Sequence, residues 1–316
     1  MSARNAIVVF VPAERGFADF SLPRDTGVLG ATEISVVAAG DIPALGEGLP
    51  GVRRRTLEEL QELELPQCRF LLLDADGAPP LELTGCEGMA ELERRVLLER
   101  VLAAMRRGVR IRDPRTAYIR GELECGAGVE IEVDVVLEGR VVLGEGVTIG
   151  AHSIVRNSTI GQRTRVHPYS LIEDSTMGAG GFVGPYGRLR PGCSIGDAVQ
   201  IGNFVEIKSS VIGAGTRINH HSFIGDAVLG ERVTIGAGTI TCNHDGSGVQ
   251  HTTIGAGAYV GSGCCLIAPL NIGEGATIGA GSTVSREVPA GRLTVARAQA
   301  RTVENWRGPR SSRKEP

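Results

Sequence analysis

The sequence has few aromatic residues, no paired-cysteine motif and no long apolar run at its start. Phe, Trp and Tyr make up only 4% of its 316 residues, so a rounded core built from large rings is not expected. The seven cysteines include no Cys-x-x-Cys pair, which favours reduced thiols and a cytoplasmic location over a disulfide framework. The apolar run from Ala6 to Pro12 is too short for a secretion signal or a membrane span.

The sequence also lacks a strong excess of charge of either sign. It has 33 Lys and Arg against 36 Asp and Glu, a net charge of −3. This balance gives no reason to expect nucleic acid or a membrane surface as partner, and we expect a soluble protein. Residues 286–316 are the local exception, with eight basic residues against three glutamates. That segment is interpreted either as a solvated tail or as an anion-binding segment.

Glycine, by contrast, is abundant, and it accompanies a regular repeat. The 45 glycines are about twice the usual share of roughly 7%. From Leu137 to Val284 an aliphatic residue returns every six positions, with a few steps of five, and glycine commonly follows it, as in Ile149-Gly150. A Gly-rich linker would not keep this register for so long, and neither an amphipathic helix nor a β-hairpin has a period of six.

A triangular coil of three short strands does have this period. Each strand sends one aliphatic side chain inward, and successive coils hydrogen-bond as parallel strands roughly 4.8 Å apart. The repeat therefore predicts a left-handed parallel β-helix. The only long gap, thirteen residues from Thr241 to Ile254, predicts a loop that leaves the coil, and such loops often carry function.

The remaining chain divides around this repeat. Residues 88–112 are predicted as a linker helix that ends near Gly108, with one apolar face formed by Met89, Leu92, Val96, Val101, Leu102 and Met105. The predicted β-helix domain is 113–288 and the basic C-terminal tail is 289–316. Residues 1–87 are interpreted as a small α/β segment, with strands at Ala6–Val11, Ile34–Ala38 and Arg69–Leu73 and a helix near Thr56–Glu64.

The repeat also predicts which polar side chains stack, because every third hexad lies on the same face. Arg190 and Lys208 follow Leu189 and Ile207, so they should lie on one face a single coil apart. Two such cations repel unless an anion lies between them. They are interpreted as a phosphate clamp, although solvated surface charges are as good an interpretation from the spacing alone.

A histidine and an amide fall near the same corner. His220 follows its aliphatic residue by two positions, as Ala237 does three hexads later, so we expect the imidazole beside the backbone of Ala237. Asn243 should stack on the Arg190/Lys208 face where the loop departs. A single histidine would more often be a surface residue, but convergence with a cation pair and an amide favours a site.

This combination suits transfer of an acetyl group from a thioester to an amine. The thioester is already activated, whereas the amine arrives as an ammonium and must lose a proton to a base. A neutral imidazole serves as that base near pH 7, and a backbone N–H of the neighbouring coil can stabilise the oxyanion. The sequence has no Gly-x-Ser-x-Gly motif, which argues against an acyl-enzyme route.

From about residue 88 to 310, some 70% of the chain, the sequence resembles the C-terminal part of a known family. This is the bacterial family of bifunctional N-acetylglucosamine-1-phosphate uridyltransferase/glucosamine-1-phosphate acetyltransferases. The resemblance is highly specific and is carried by the motifs IRDP (111–114), GPYGRLRPG (184–192), GNFVEIK (202–208), GDAVLG (225–230), IGAGTITCNHDG (235–246), VGS (260–262) and WRGP (306–309).

The resemblance implies a role for several residues. Arg190 and Lys208 would bind the sugar phosphate, together with the positions of Phe223 and Thr234, and His220, chosen over His221 by the GDAVLG register, would accept the proton. The acetyl-CoA positions would be Ala237, Asn243, His244, Ser262, Ala280 and Arg297. The implied enzyme is a homotrimer with acetyl-CoA between subunits, acting in UDP-N-acetylglucosamine synthesis, and it needs no metal for acetyl transfer.

The chain departs from the family at three of these positions and at its N-terminus. Phe223 and His244 stand where the family has Tyr, and Thr234 where it has Asn; a lost hydrogen bond to a charged group costs roughly 1.5–3 kcal/mol. Residues 1–87 are shorter than the family's uridyltransferase domain and lack its Gly-Thr-Arg-Met turn, so we expect a truncated remnant without that activity. Asp74 and Asp76 are interpreted as a turn rather than a metal site.

Three alternatives remain beside glucosamine-1-phosphate N-acetyltransferase. The acceptor could be a different amino-sugar phosphate or a nucleotide sugar, given the altered positions. The chain could be a non-catalytic trimeric scaffold. A metal-dependent hydratase on the same fold is disfavoured, because the six histidines do not show the spacing of two close ligands and a third on a neighbouring coil.

Overall fold

The structure is a computed structural model of the chain, and it describes residues 6–11, 33–38, 52–54, 59–62, 68–72, 81–304 and 306. The predicted turn at Asp74 and Asp76 lies outside these residues, as does the part of the predicted basic C-terminal tail beyond Trp306. Within the described part, no helix is both long enough and apolar enough to cross a membrane.

The N-terminal segment contains a five-stranded sheet. Its strands are β1 (Ala6–Val11), β2 (Glu33–Ala38), β3 (Val52–Arg54), β4 (Cys68–Leu72) and β5 (Leu81–Thr84). Their order is β3-β2-β1-β4-β5, and all neighbours are parallel except β4 and β5. A central β1 with parallel neighbours on both sides occurs in doubly wound α/β sheets. The α/β interpretation of residues 1–87 is consistent with this pairing and stays a prediction.

Three of these strands match the predicted ones within one residue, but β3 and β5 were not predicted. Of the predicted helix near Thr56–Glu64, the structure describes only Glu59–Glu62. These four residues form a 3-10 turn rather than an α-helix, so the prediction is wrong there. That turn still carries an apolar anchor. Leu60 is fully buried in a small core with Val37 and Phe70.

Helix α1 (Gly85–Arg106) connects this sheet to the rest of the chain. Leu92 and Val96 pack in the core of the N-terminal sheet, whereas Val101 and Ala104 join the core of the β-helix. The predicted apolar face is therefore correct at Leu92, Val96 and Val101. It is wrong at Met105, which is 36% exposed. Ala104 follows buried Leu97 by seven residues, close to two full turns, and so lies on the same face, whereas Met105 lies to one side of Leu97.

Two glycines shape α1, one near its start and one just past its end. A side chain at Gly88 would place its Cβ within 2.1 Å of the Phe70 ring, so only glycine allows the helix to approach the sheet this closely. At the other end Gly108 has a φ of +95°, the left-handed conformation that commonly terminates helices just past the cap. The predicted end at Gly108 is confirmed, and the helix begins three residues before the predicted start at residue 88.

The rest of the described chain forms one 26-stranded sheet that coils about ten times. Its strands are β6 (Arg110–Ile111), β7 (Tyr118–Cys125), β8 (Glu130–Ile131), β9 (Val136–Leu143), β10 (Thr148–Ile149), β11 (Ile154–Arg156), β12 (Thr159–Ile160), β13 (Arg165–Val166), β14 (Leu171–Glu173), β15 (Thr176–Met177), β16 (Phe182–Val183), β17 (Arg188–Leu189), β18 (Ser194–Ile195), β19 (Gln200–Lys208), β20 (Val211–Ile212), β21 (Arg217–Gly225), β22 (Ala227–Leu229), β23 (Thr234–Ile235), β24 (Ile240–Cys242), β25 (Thr252–Ile254), β26 (Tyr259–Val260), β27 (Cys265–Ile267), β28 (Leu270–Ile272), β29 (Thr277–Ile278), β30 (Thr283–Val284) and β31 (Leu293–Thr294).

The pairing confirms a three-sided parallel β-helix. Strand β13, for example, pairs in parallel with β10 on one side and with β16 on the other, so one coil contains three strands. Every aliphatic position of the predicted repeat faces inward, and none of them is more than 4% exposed. The left-handed sense stays a prediction of the hexapeptide period. The last paired strand, β31, lies beyond the predicted domain end at residue 288.

The predicted loop is also present. Strand β24 ends at Cys242 and β25 begins at Thr252, and between them His244 and Val249 form an isolated antiparallel bridge. Residues 243–251, named the 243–251 loop, thus form a small hairpin-like excursion on an otherwise regular scaffold.

Candidate active site

The predicted site residues lie at two successive corners of the β-helix rather than at one: Arg190 and Lys208 precede the corner marked by the positive φ of Ser209 and Asp226, and His220 lies at the corner before it. The corner of His220 is the better defined. Strands β19 and β21 continue across this corner and pair so that Asn203 lies opposite His220. On the next coil Ile218 pairs with Ile235, which places Ala237, two residues further on, next to His220. The predicted juxtaposition of His220 and Ala237 is therefore confirmed.

His220 and its neighbour His221 face different partners. The Nδ1 atom of His220 lies 2.9 Å from Oδ1 of Asn203. An amide oxygen only accepts, so this contact requires the proton on Nδ1 and leaves the lone pair on Nε2. His221 has a φ of +45°, and its ring lies edge-on to the ring of Phe204, with centroids 6.4 Å apart. Of these two histidines, His220 is the one held by a hydrogen bond that suits a base.

Asn203 is a residue that the sequence reasoning missed. It follows Ile201 by two positions, just as His220 follows Ile218, and Ile201 pairs with Ile218. The repeat register alone thus contained the signal that would have identified it.

The two predicted phosphate-binding cations lie one coil apart, as expected. Leu189 pairs with Ile207, which places Arg190 beside Lys208. Each cation also has a carboxylate partner: Arg190 Nη1 lies 3.1 Å from Glu206 Oε1, and Lys208 Nζ lies 3.4 Å from an Asp226 oxygen.

These carboxylates, which the sequence reasoning did not identify, offset the repulsion between the two cations. The side chains of Arg190 and Lys208 remain 37% and 31% exposed, so both can still contact an anion from solvent. The pair is therefore a candidate anion site whose positive charge is partly neutralised by the protein.

Phe223 lies on the same face as Lys208, whereas Thr234 does not. A Cβ at Gly225, the residue paired with Lys208, would be 2.6 Å from the Phe223 ring and 2.9 Å from the Asn243 amide nitrogen. The absence of a side chain at Gly225 therefore makes room for both groups. Thr234 lies before the His220 corner, between Arg217 and Tyr259, so one chain does not bring it together with Phe223.

The four cofactor positions outside the loop form a single column that continues from His220. Gly263 donates its N–H to the carbonyl of Ala237, and Gly281 to that of Ser262, at 2.7 and 2.8 Å. Arg297 Nη1 then donates to the carbonyl of Ala280 at 2.8 Å. Ala237, Ser262, Ala280 and Arg297 thus follow one another, one per coil, and the small side chains of the first three leave the edge open to an extended ligand.

The 243–251 loop contains the other two cofactor positions, Asn243 and His244. His244 is exposed, and its Nδ1 accepts the N–H of Gly246 at 3.0 Å. Asp245 organises the turn, since its carboxylate accepts hydrogen bonds from Ser247, Gly248 and Gln250.

Those hydrogen bonds, led by the Ser247 hydroxyl, hold the pKa of the Asp245 carboxyl well below its ordinary value. The ionised carboxylate therefore stabilises the loop at neutral pH, and this contribution is lost only when the pH falls through the lowered pKa. Burial raises the pKa of the nearby Cys242 thiol, which keeps that group neutral at the base of the loop.

The histidines outside this corner have other partners. His152 stacks on Tyr169, and His167 lies edge-on to Phe182. Across the described ranges, no group of three or more His, Cys, Asp or Glu side chains is arranged to hold a metal ion. The prediction that acetyl transfer needs no metal stays a prediction.

Comparison with known proteins gives a clear relationship for part of the chain. No protein-family model matches it. Proteins described as bifunctional protein GlmU are 48% identical over 225 residues in Methylibium petroleiphilum, covering 71% of this chain and 49% of the relative. The relative in Stenotrophomonas maltophilia is 46% identical over 221 residues, covering 70% of this chain and 49% of the relative. The relative in Acidithiobacillus ferrooxidans is 45% identical over 240 residues, covering 76% of this chain and 53% of the relative. The chain spans about half the length of the curated relatives it matches.

The solved structures that the chain resembles are more distant in sequence. A UDP-N-acetylglucosamine acyltransferase from Campylobacter jejuni is 20% identical and covers 61% of this chain and 75% of its own, with a TM-score of 0.39. The acetyltransferase domain of PglB from Neisseria gonorrhoeae, in complex with acetyl coenzyme A, is 14% identical. The match covers 93% of this chain and 97% of that domain, with a TM-score of 0.17.

Proposed function

From the premise that about 70% of this chain, its C-terminal part, is homologous to the bifunctional GlmU proteins, we propose that it is an N-acetyltransferase. It transfers the acetyl group of acetyl-CoA to the amine of an amino-sugar phosphate, with glucosamine-1-phosphate as the preferred acceptor. The observation that carries this proposal is that His220, held by Asn203, lies beside Ala237 at the start of the column, while the Arg190/Lys208 pair lies at the next corner of the same coils.

In the proposed reaction the sugar phosphate contacts Arg190 and Lys208, and acetyl-CoA lies along the column of Ala237, Ser262 and Ala280. Nε2 of His220 takes a proton from the acceptor ammonium. The free amine attacks the thioester carbonyl, and a backbone N–H of a neighbouring coil stabilises the tetrahedral oxyanion. As this intermediate collapses, the carbon–sulfur bond breaks, the His220 imidazolium gives its proton to the departing sulfur, and the second proton of the nitrogen passes to solvent. The products are the N-acetylated sugar phosphate and CoA, without an acyl-enzyme intermediate.

The identity of the acceptor depends on the altered residues around Phe223. Phe223 offers no hydroxyl to a sugar, and Thr234 is shorter than the asparagine of the family pattern. A larger or differently oriented sugar, including a nucleotide sugar, is therefore the alternative acceptor. A non-catalytic scaffold is the second alternative, and the same altered positions favour it.

The test is release of CoA thiol from acetyl-CoA with a panel of acceptors. Glucosamine-1-phosphate, galactosamine-1-phosphate, glucosamine-6-phosphate, UDP-glucosamine and free glucosamine are compared at equal enzyme concentration. We expect the highest kcat/KM with glucosamine-1-phosphate. A preference for UDP-glucosamine would identify the alternative acceptor, and no thiol release with any acceptor would favour the scaffold.

The proposal includes a cytoplasmic homotrimer with acetyl-CoA between subunits. Thr234 and Phe223 lie on different sides of the His220 corner, as is expected of a site that a neighbouring subunit completes. Sedimentation equilibrium should give three times the mass of the 33.2 kDa chain. A monomer at all concentrations would contradict the shared site.

A further inference from the structure

Asp226 occupies a corner of the β-helix between the candidate anion site and the 243–251 loop. It is 7% exposed and has a φ of +51°, a left-handed conformation that Asp and Asn adopt more readily than other residues with side chains. Its backbone N–H donates to the carbonyl of Lys208 at 3.0 Å. A buried carboxylate at this point needs partners, since an unpaired buried charge is costly.

The carboxylate of Asp226 has two partners from opposite sides of the site. The same oxygen, Oδ2, lies 3.4 Å from Lys208 Nζ and accepts a hydrogen bond from the Asn243 side-chain amide. Lys208 belongs to the candidate anion site, and Asn243 is the first residue of the loop. One carboxylate oxygen therefore connects the proposed sugar-phosphate side with the proposed acetyl-CoA side.

The backbone carbonyl of Asp226 holds the other end of the loop. It accepts the N–H of Thr252 at 3.3 Å and lies 3.2 Å from Nδ1 of His251, which donates to it. Within the loop, Gln250 donates its N–H to the carbonyl of Asn243 at 2.7 Å. The departing and the returning chain are thus fastened to the same residue, and to each other.

We infer that Asp226 is a positioning residue that holds the 243–251 loop, and with it Asn243 and His244, against the Lys208 side of the site. The identity of the ligand that the loop meets rests on the proposed function. The inference about loop position does not, because every contact that carries it lies within this chain.

The chain offers a closely matched control for Asp226. Asp174 lies on the same corner three coils away, also with a positive φ, +42°, and its carboxylate also accepts an asparagine amide, from Asn157 at 3.1 Å. No lysine and no loop contacts it in the described structure. Asp226→Asn and Asp174→Asn make the same chemical change in the same backbone conformation, and asparagine tolerates that conformation.

Hydrogen–deuterium exchange of the loop amides tests the position directly and requires no ligand. In Asp226→Asn the amides of residues 245–250 should exchange about tenfold faster or more, because opening of the loop loses its charged tether. In Asp174→Asn they should exchange as in the wild type. Equal loop exchange in Asp226→Asn and the wild type would overturn the inference. If Asp226→Asn does not fold, Asn243→Ala removes only the amide and must show the same acceleration.

Kinetics provide a second readout that a general loss of structure would not reproduce. Asp226→Asn should raise the KM for acetyl-CoA about tenfold, with a much smaller change in kcat. If Asp226 acts through Asn243, the KM for acetyl-CoA of the double variant Asp226→Asn/Asn243→Ala should be no higher than the higher KM of the two single variants. Additive effects of the two substitutions on this KM would overturn the link. If the wild type transfers no acetyl group, the proposed function fails, and the exchange experiment still decides the role of Asp226.

Discussion

Replacing Asn203 with Ala isolates the orientation of the proposed base from its chemistry. The contact removed at the site is the 2.9 Å hydrogen bond between the amide oxygen and Nδ1 of His220. A neutral hydrogen bond contributes roughly 0.5–1.5 kcal/mol. Since about 1.4 kcal/mol corresponds to a factor of ten in rate, kcat should fall roughly 2- to 13-fold.

The assay is steady-state thiol release with both substrates varied. Because the amide orients the imidazole and does not contact a substrate in the proposed reaction, both KM values should stay within about twofold of the wild type. Asn271→Ala, an exposed asparagine on a different face of the β-helix, is the control and should leave all constants unchanged. An unchanged kcat for Asn203→Ala, or a raised KM with normal kcat, would refute the orienting role.

Three further predictions concern other groups. Lys208→Ala should raise the dissociation constant of the phosphosugar roughly tenfold or more and that of acetyl-CoA little, because its charge meets the sugar's phosphate; calorimetry showing equal losses would mean the cation is wrongly assigned. The protein should release no pyrophosphate from UTP and N-acetylglucosamine-1-phosphate, and clear release would show that residues 1–87 form a working domain. Burial raises the pKa of Cys125 to about 11, so only about one in a thousand of its thiols is ionised at pH 8; iodoacetamide should label exposed Cys86 first, and mass spectrometry finding Cys125 labelled equally fast would contradict this.

The β-helix could be predicted from the sequence because its period fixes the direction of each side chain. An aliphatic residue every six positions predicts a three-sided coil with these side chains inside, and the core positions followed directly, including Thr241, which is fully buried in place of an aliphatic residue. The same register placed His220 beside Ala237 and Arg190 beside Lys208. Stacking within a β-helix is therefore unusually accessible to sequence reasoning.

The carboxylate partners of the site were harder to predict. Glu206 and Asp226 both lie outside the aliphatic repeat, and the period does not determine which of several nearby charges such a side chain contacts. The ion pairs of Arg190 and Lys208 depend on side-chain rotamers, which the repeat does not fix. Asn203 differs, because its register with His220 followed from the same rule that placed Ala237.

Outside the repeat, prediction depended on weaker signals. Strand β3 has only three residues, two of them arginines, and β5 alternates Leu with polar residues at the edge of its sheet, so neither shows a strong apolar pattern. On α1, Met105 was placed on the apolar face because it follows Val101 by four residues. The buried face at this end of the helix is instead shared by Leu97, Val101 and Ala104, so the smaller Ala104 lies inside.

The most direct test of the account compares His220→Ala with His221→Ala at saturating acetyl-CoA and glucosamine-1-phosphate. His220 has the Asn203 contact and lies beside Ala237, whereas His221 packs against Phe204. Loss of a general base lowers the rate by roughly 10²–10⁴, so His220→Ala should lose at least a hundredfold in kcat while His221→Ala keeps most of it. Equal losses in the two variants, or inactivity of His221→Ala alone, would contradict the assignment of His220 as the base.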